Sequence, residues 1–191
     1  VKSNGHRVGG IVNGITGSDT KEDGTGIDYK DSANFPANPP TYTNGIVGQA
    51  LRTTPGRYVQ IPGSAATDVG AGSGFTFETW FKQDFANSAY VLASWNIAPS
   101  TQGVSIGTSP TRGPSYLEAN LVDTLGNSRV LSLYTYSPYP SGTYLSATNC
   151  NHLALTYEKA SGQAILFLNG SPVVATNFGS FTPRTTGALT L

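Results

Sequence analysis

The fold is decided by residues 151–176, which read NHLALTYEKASGQAILFLNGSPVVAT. Leucine and tyrosine alternate with other side chains over residues 152–158, as expected for a strand with one buried face. Residues 164–168 are apolar at every position, which predicts a strand covered on both faces. Asn169-Gly170 predicts a two-residue type I′ hairpin, because this turn needs positive φ at both central residues. The stretch therefore predicts three antiparallel strands that pair in chain order.

Short alternating segments between Gly/Pro-rich turns continue through the rest of the chain. Residues 75–82 alternate cleanly, with Phe75, Phe77 and Phe81 on one face. Further strands are predicted at 58–61, 90–95, 103–106, 116–122 and 130–136. No stretch with helical periodicity exceeds about one turn. About eleven or twelve short strands predict an all-β fold, a two-sheet antiparallel jelly-roll sandwich with little or no helix.

The chain is predicted to be a single domain over residues 1–191. Residues 1–44 are interrupted by glycine and proline, which predicts an irregular N-terminal strand and loops. Gly70–Gly74 is predicted to be a flexible loop. The last three residues begin a strand and stop, so the closing C-terminal strand is predicted to be missing. The absence of methionine predicts a chain processed or excised from a longer protein.

Composition excludes several classes of function. Eleven basic and eleven acidic residues give zero net charge, which makes nucleic acid a poor partner. No apolar run is long enough to insert into a membrane. Cys150 is the single cysteine, so the chain is not a disulfide scaffold. The low charged fraction of 12%, with a β fold rich in Thr, Ser, Asn and Gly, favours an extracellular or cell-surface setting.

Five segments occur in an order that resembles the laminin-G-like domains of the concanavalin A-like lectin/glucanase superfamily. They are GIVGQAL at 45–51, YVQIP at 58–62, FTFETWF at 75–81, HLALTY at 152–157 and LFLNG at 166–170. The resemblance implies a jelly-roll sandwich that serves as a binding or spacer module within a large secreted or cell-surface protein. The chain departs from the family where Cys150 replaces a tryptophan, in its N-terminal strand, and in lacking the closing strand.

Catalytic chemistry is not predicted. Some superfamily members are glycoside hydrolases, which need two carboxyl groups flanking one bond. Glu78, Glu118 and Glu158 each stand alone on their strands. Cys150 and His152 share one face of a strand, but no third group orients them, so both are interpreted as structural residues. The chain is predicted not to be an enzyme.

Calcium is the candidate cofactor. Asp28, Asp31 and Asn34 supply hard oxygen donors in what is predicted to be a polar loop. The resemblance favours calcium, because many laminin-G-like domains hold one such ion. The spacing lacks the glycine and the closing glutamate of an EF-hand. A solvated acidic loop is the alternative.

Carbohydrate binding would need exposed aromatic rings with amide and hydroxyl groups nearby. The candidate residues are Trp95, Asn96, Tyr134, Tyr136 and Tyr139, with Tyr116 and Asn120 as a further pair. The alternative is sheet packing, because tyrosine and tryptophan are favoured in strands for any function.

The predicted function is a non-catalytic binding module that recognises carbohydrate or an extracellular protein, with calcium as a possible aid. The alternative is a structural or adhesive unit of an extracellular assembly with no small ligand. In that case an open sheet edge would pair with neighbouring domains or subunits.

Overall fold

The structure, a computed structural model, describes residues 2–3, 6–7, 28–31, 41–46, 48–52, 57–82, 90–98, 101–109, 113–135, 145 and 149–191. Within these ranges the chain forms strands that are numbered here in chain order. They are β1 (Lys2–Ser3), β2 (His6–Arg7), β3 (Asp28–Asp31), β4 (Thr41–Asn44), β5 (Gln49–Arg52), β6 (Arg57–Ile61), β7 (Gly74–Phe81), β8 (Val91–Ala98), β9 (Thr101–Ser109), β10 (Gly113–Val122), β11 (Ser128–Tyr134), β12 (Asn151–Glu158), β13 (Gln163–Leu168), β14 (Ser171–Asn177) and β15 (Ala188–Thr190).

Two antiparallel sheets form the body of the molecule. One has seven strands in the order β11-β10-β9-β8-β15-β6-β3, and the other has four in the order β14-β13-β12-β7. Short hairpins join β1 to β2 and β4 to β5. The described ranges contain one 3-10 turn, Val69–Ala71, and no helix long and apolar enough to cross a membrane. The predicted all-β, two-sheet architecture is confirmed.

The hydrophobic core lies between the two sheets, because each strand turns its alternate apolar side chains inward. Phe77 of β7 packs edge-on against Trp95 of β8, with ring centroids 6.3 Å apart and an interplanar angle of 81°. Leu117 of β10 and Leu155 of β12 are both fully buried in the same cluster. The two layers therefore share one core.

Strands β12, β13 and β14 form the meander that the sequence predicts. Asn169 and Gly170 have φ of 51° and 82°, and Leu168 pairs with Ser171, so the two-residue hairpin is confirmed. The expectation that residues 164–168 are covered on both faces is wrong for Ile165 and Phe167, which are only half-buried. These two side chains lie on the outer face of the four-stranded sheet, which the described residues leave partly open to solvent.

The β10–β11 hairpin is closed by a buried carboxylate. Asp123, only 4% exposed, accepts hydrogen bonds from the backbone N–H groups of Leu125 and Asn127, at 2.9 and 2.8 Å. It also accepts bonds from the Asn127 amide and from Arg129 Nη1, at 3.0 and 2.9 Å. Burial alone would raise the pKa of Asp123, but these four bonds outweigh it and hold the pKa far below its ordinary value.

The C-terminal segment ties the sheets together. Strand β15 lies between β8 and β6, and Leu189 is 1% exposed. The Tyr157 hydroxyl accepts a hydrogen bond from the Phe181 N–H at 2.9 Å, and it lies 3.1 Å from the Gly179 carbonyl oxygen. Burial raises the pKa of Tyr157. The segment after β14 is thereby anchored to the four-stranded sheet before it enters the seven-stranded one.

Two loop predictions are wrong. Asp28–Asp31 is not a loop, because it pairs with Arg57–Ile61 as strand β3. The segment at Gly70 is not a flexible loop, since the buried Gly70 donates its N–H to Thr185 Oγ1 at 2.7 Å. That hydroxyl in turn donates to Asp68 Oδ1 at 2.7 Å. The number of domains and the missing closing strand stay predictions.

Candidate functional site

Strands β10 and β11 carry a group of polar and aromatic side chains on the outer face of the seven-stranded sheet. Leu117, Ala119 and Leu131 point into the core, so the residues between them point outward. We call this group the polar face. It consists of Tyr116, Glu118, Asn120, Ser132 and Tyr134.

Two tyrosine rings form one end of the polar face. Tyr116 and Tyr134 are direct partners across the two strands, and their ring centroids are 4.9 Å apart with an interplanar angle of 58°. Tyr134 is 37% exposed, and Tyr116 is half-buried. Each ring restricts the conformations of the other. The pair therefore presents an aromatic surface that loses little further side-chain entropy when a ligand stacks on it.

Two polar atoms beside the tyrosines lack a hydrogen-bond partner within the described residues. Glu118 and Ser132 are opposite each other on the same two strands. Glu118 Oε2 and Ser132 Oγ are shielded from solvent, and neither makes a hydrogen bond within the described part of the chain. An unpaired buried oxygen is costly, by about 1–3 kcal/mol. A ligand that supplies hydroxyl groups to both atoms would recover that cost.

Asn120 continues the polar face into a row of short polar side chains that crosses the sheet. Asn120 accepts a hydrogen bond from Ser128 Oγ and is paired with Ser105, which is paired with Ser94. Ser94 is paired with Thr190 of β15. The row joins strands that are distant in sequence, so no local pattern reveals it.

Trp95 is not a sugar-binding residue, which corrects the prediction. Its ring is 1% exposed within the core, and its indole N–H donates to the Thr67 carbonyl at 3.0 Å. Its neighbour Asn96 points the other way and is exposed, where it accepts a hydrogen bond from Ser94 Oγ at 3.1 Å. Tryptophan and asparagine that are adjacent in a strand face opposite sides, so the two cannot serve one ligand.

Of the three remaining aromatic candidates, the structure describes one. Tyr134 belongs to the polar face, where it meets Tyr116. Tyr136 and Tyr139 lie outside the described residues. Glu118 was considered in the sequence only as a lone acid. Its alternation with Tyr116 and Asn120 was the signal that could have placed it on the same face.

The described part of the structure does not bring the three calcium candidates together. Asp28 and Asp31 are the first and last residues of strand β3, and Asn34 lies outside the described residues. Across the described ranges, no group of three His, Cys, Asp or Glu side chains could hold a metal ion. Calcium binding stays a prediction.

Solved structures with a similar fold include two binding domains and one domain of an extracellular arabinanase. The binding domain of botulinum neurotoxin serotype G gives a TM-score of 0.60 at 11% identity, over 88% of this chain and 39% of that chain. The binding domain of Paraclostridial Mosquitocidal Protein 1 gives 0.60 at 14%, over 87% and 39%. Domain 4 of AbnA, a GH43 extracellular arabinanase from Geobacillus stearothermophilus, in complex with arabinotriose, gives 0.55 at 17%, over 87% and 72%.

These likenesses extend to the fold alone, since every identity is low. They confirm the two-sheet, jelly-roll β-sandwich fold. This chain spans only 39% of the length of each of the first two binding domains. No protein-family model and no curated protein matches the sequence. Membership of the laminin-G-like group stays a prediction.

Proposed function

We propose that this chain is a non-catalytic carbohydrate-binding module, of the laminin-G-like type, that holds a neutral saccharide on the polar face. One observation carries the proposal: Glu118 Oε2 and Ser132 Oγ are shielded, make no hydrogen bond among the described residues, and lie next to a tyrosine pair. Sugars offer apolar C–H faces to aromatic rings and hydroxyl groups to carboxylates and amides. The polar face has each of these partners.

The expected preference for a neutral sugar follows from the negative charge of the polar face. The five residues of the polar face include one carboxylate and no cation. A second carboxylate on the ligand would be repelled by Glu118, whereas a hydroxyl would donate a charge-assisted hydrogen bond to it. We therefore expect arabinose-, glucose- or galactose-type sugars to bind better than sialic or uronic acids.

The absence of catalysis is also part of the proposal. Glu118 lies on the seven-stranded sheet, and Glu78 and Glu158 lie on the four-stranded one. Glu78 is opposite Ala154, four residues from Glu158 along β12, so their backbones are ~13 Å apart at 3.3 Å per residue. Glycosidases place their carboxyl groups roughly 5–9.5 Å apart. The separation of these three glutamates in the fold supports a role without catalysis.

The setting proposed for the module is extracellular. Polysaccharides and cell-surface glycans are its expected partners, and a similar domain belongs to an extracellular arabinanase. We also propose that calcium, held by Asp28, Asp31 and Asn34, assists recognition of the ligand. An adhesive unit without a small ligand is the competing function, and it predicts no response to any sugar.

A glycan array followed by calorimetric titration tests the proposal, with arabinotriose as the first soluble probe. We expect wild type to bind a subset of neutral glycans. Tyr134→Ala and Glu118→Gln should each weaken binding about tenfold, which corresponds to the loss of one stacking contact or one charge-assisted bond. Glu158→Gln is the matched control, because Glu158 is exposed and lies on the other sheet.

Three outcomes would contradict the proposal. The first is no binding to any glycan, which favours the adhesive unit. The second is binding that Tyr134→Ala and Glu118→Gln leave unchanged. The third is the release of reducing ends from a bound glycan, which would make the chain an enzyme.

A further inference from the structure

The outer face of the four-stranded sheet carries a second aromatic and titratable cluster, far from the polar face. Trp80 of β7 is 48% exposed, which is unusual for so large an apolar ring. It is the direct partner of His152 on β12. Glu78 lies two residues before Trp80 on the same strand and therefore on the same side of the sheet.

His152 supports the Trp80 ring. The centroids of the two rings are 4.9 Å apart, with an interplanar angle of 49°. His152 itself is held by the β13–β14 hairpin, because its backbone N–H donates to Asn169 Oδ1 at 2.8 Å and its carbonyl accepts from the Asn169 N–H at 2.8 Å. The ring pair thus sits on a fixed backbone while one large ring stays open to solvent.

The imidazole and the carboxylate next to Trp80 are spaced for a shared ligand group. His152 Nε2 lies 4.0 Å from Glu78 Oε2, and the two side chains are 21% and 39% exposed. This distance is too long for a hydrogen bond between them. A hydroxyl group placed ~2.8 Å from each atom could accept from the imidazole N–H and donate to the carboxylate.

Apolar side chains adjoin the cluster on the neighbouring strands. Ala154 is opposite Glu78 on one side and Phe167 on the other, so a small residue lies between two larger ones. Phe167 and Ile165 are half-buried on the same outer face. An exposed aromatic ring next to apolar side chains and polar groups suits a sugar ring, which has apolar faces and a hydroxylated rim.

We propose that Trp80, His152 and Glu78 form a second saccharide-binding site, separate from the polar face. One sugar ring stacks on Trp80, and one of its hydroxyl groups bridges His152 Nε2 and Glu78 Oε2. The carboxylate selects neutral sugars and rejects sialic and uronic acids. Because the two sites lie on outer faces of opposite sheets, a single module can hold two glycan chains at once and gain avidity on a polysaccharide.

The two tryptophans make the second site directly observable. Trp80 is exposed and Trp95 is buried, and the chain has 2 tryptophans in all. Acrylamide should therefore quench mainly the Trp80 fluorescence. The experiment uses the full chain with the polar face disabled by Tyr134→Ala and Glu118→Gln, and titrates arabinotriose, cellotriose and maltotriose up to about 10 mM, enough to detect millimolar Kd values.

We expect at least one neutral trisaccharide to protect Trp80 from acrylamide, and sialyllactose not to do so. In calorimetry, Trp80→Ala should weaken that binding about tenfold or more, and Glu78→Gln several-fold. Trp80→Phe keeps a smaller ring and should retain part of the affinity. Leu125→Ala is the control, because Leu125 is 85% exposed and lies in the β10–β11 hairpin, on the other sheet from Trp80.

The outcomes separate this site from the polar face. Protection that persists when the polar face is disabled supports the second site even if the polar face binds nothing. Binding that Tyr134→Ala abolishes and Trp80→Ala leaves unchanged overturns the second site alone. No protection by any of the three neutral trisaccharides, or equal protection by sialyllactose, also overturns it. Circular dichroism of Trp80→Ala should match wild type, since the ring is largely outside the core.

Discussion

Each of the two outer faces of the sandwich lies next to one hairpin, and these two hairpins are stabilised in different ways. The β13–β14 hairpin, beside Trp80 and His152, turns through Asn169 and Gly170, whose φ values are 51° and 82°. The β10–β11 hairpin, which presents the polar face, turns around the buried Asp123 carboxylate. The first turn depends on backbone conformation and the second on an ionised, hydrogen-bonded group.

This difference has a consequence for stability. A turn specified by backbone conformation is insensitive to pH, because no group in it titrates. A turn held by a carboxylate is stable only while that group is ionised. The low pKa of Asp123 in the folded protein shows that folding favours its ionised form. The polar face should therefore be lost in acid before the face around Trp80.

The largest expected effect is that of Asp123→Ala. The substitution removes the common acceptor of Leu125, Asn127 and Arg129, and we expect it to lower the free energy of unfolding by about 3 kcal/mol. Urea denaturation at pH 7 measures it. Glu158→Ala is the control, because Glu158 is exposed and its carboxylate accepts a single exposed hydrogen bond, from the Ser161 N–H, among the described residues. This substitution should cost less than about 0.5 kcal/mol. Equal costs would show that Asp123 does not organise its hairpin.

The next-largest effect is the loss of the stability that Asp123 contributes as the pH falls. The folded-state pKa of Asp123 lies below the unfolded value of about 3.9, so its contribution is fully present above that pH and falls as the pH drops toward the folded value. The stability difference between wild type and Asp123→Asn should therefore shrink between pH 6 and pH 2.5. Urea titrations of both proteins across this range test the expectation. A difference that stays constant would mean that Asp123 does not titrate with folding.

The smallest effect is expected for Gly170→Ala. Nothing lies within 4 Å of the added Cβ, so only the positive φ opposes the substitution. We expect a loss of about 1 kcal/mol in the free energy of unfolding, equal at pH 7 and pH 3. Gly126→Ala, at φ 90° in the other hairpin, is the matched comparison and meets its nearest atom at 3.8 Å. A cost for Gly170→Ala that depends on pH would contradict the contrast between the two hairpins.

Most of the architecture was predictable because the chain alternates. In β7, the buried Phe75 and Phe77 lie on one face and the exposed Trp80 lies on the other, as their alternation predicts. The type I′ turn was equally clear, since Asn-Gly is suited to positive φ. Strand β3 was missed, because DYKD has little apolar character and owes its strand structure to pairing with β6.

The candidate sites were less predictable. Tyr134 was recognised as an aromatic candidate, but its partner Tyr116 lies 18 residues earlier and meets it only through the β10–β11 register. Trp95 looked like a better candidate than Trp80, yet Trp95 fills the core and Trp80 is open to solvent. The alternation of side chains predicts that neighbouring residues lie on opposite faces of a sheet. Which face is core and which is surface depends on the sheet that packs against it.

The sequence by itself determined the class of the fold and the position of its turns, because side-chain alternation and glycine conformation act over a few residues. Tertiary structure decided which polar groups meet. Glu118 is joined to Ser132 by strand pairing, and His152 to Trp80 by the contact of β12 with β7. These contacts depend on strand register and sheet order, which the summed packing of two layers fixes and no local segment contains.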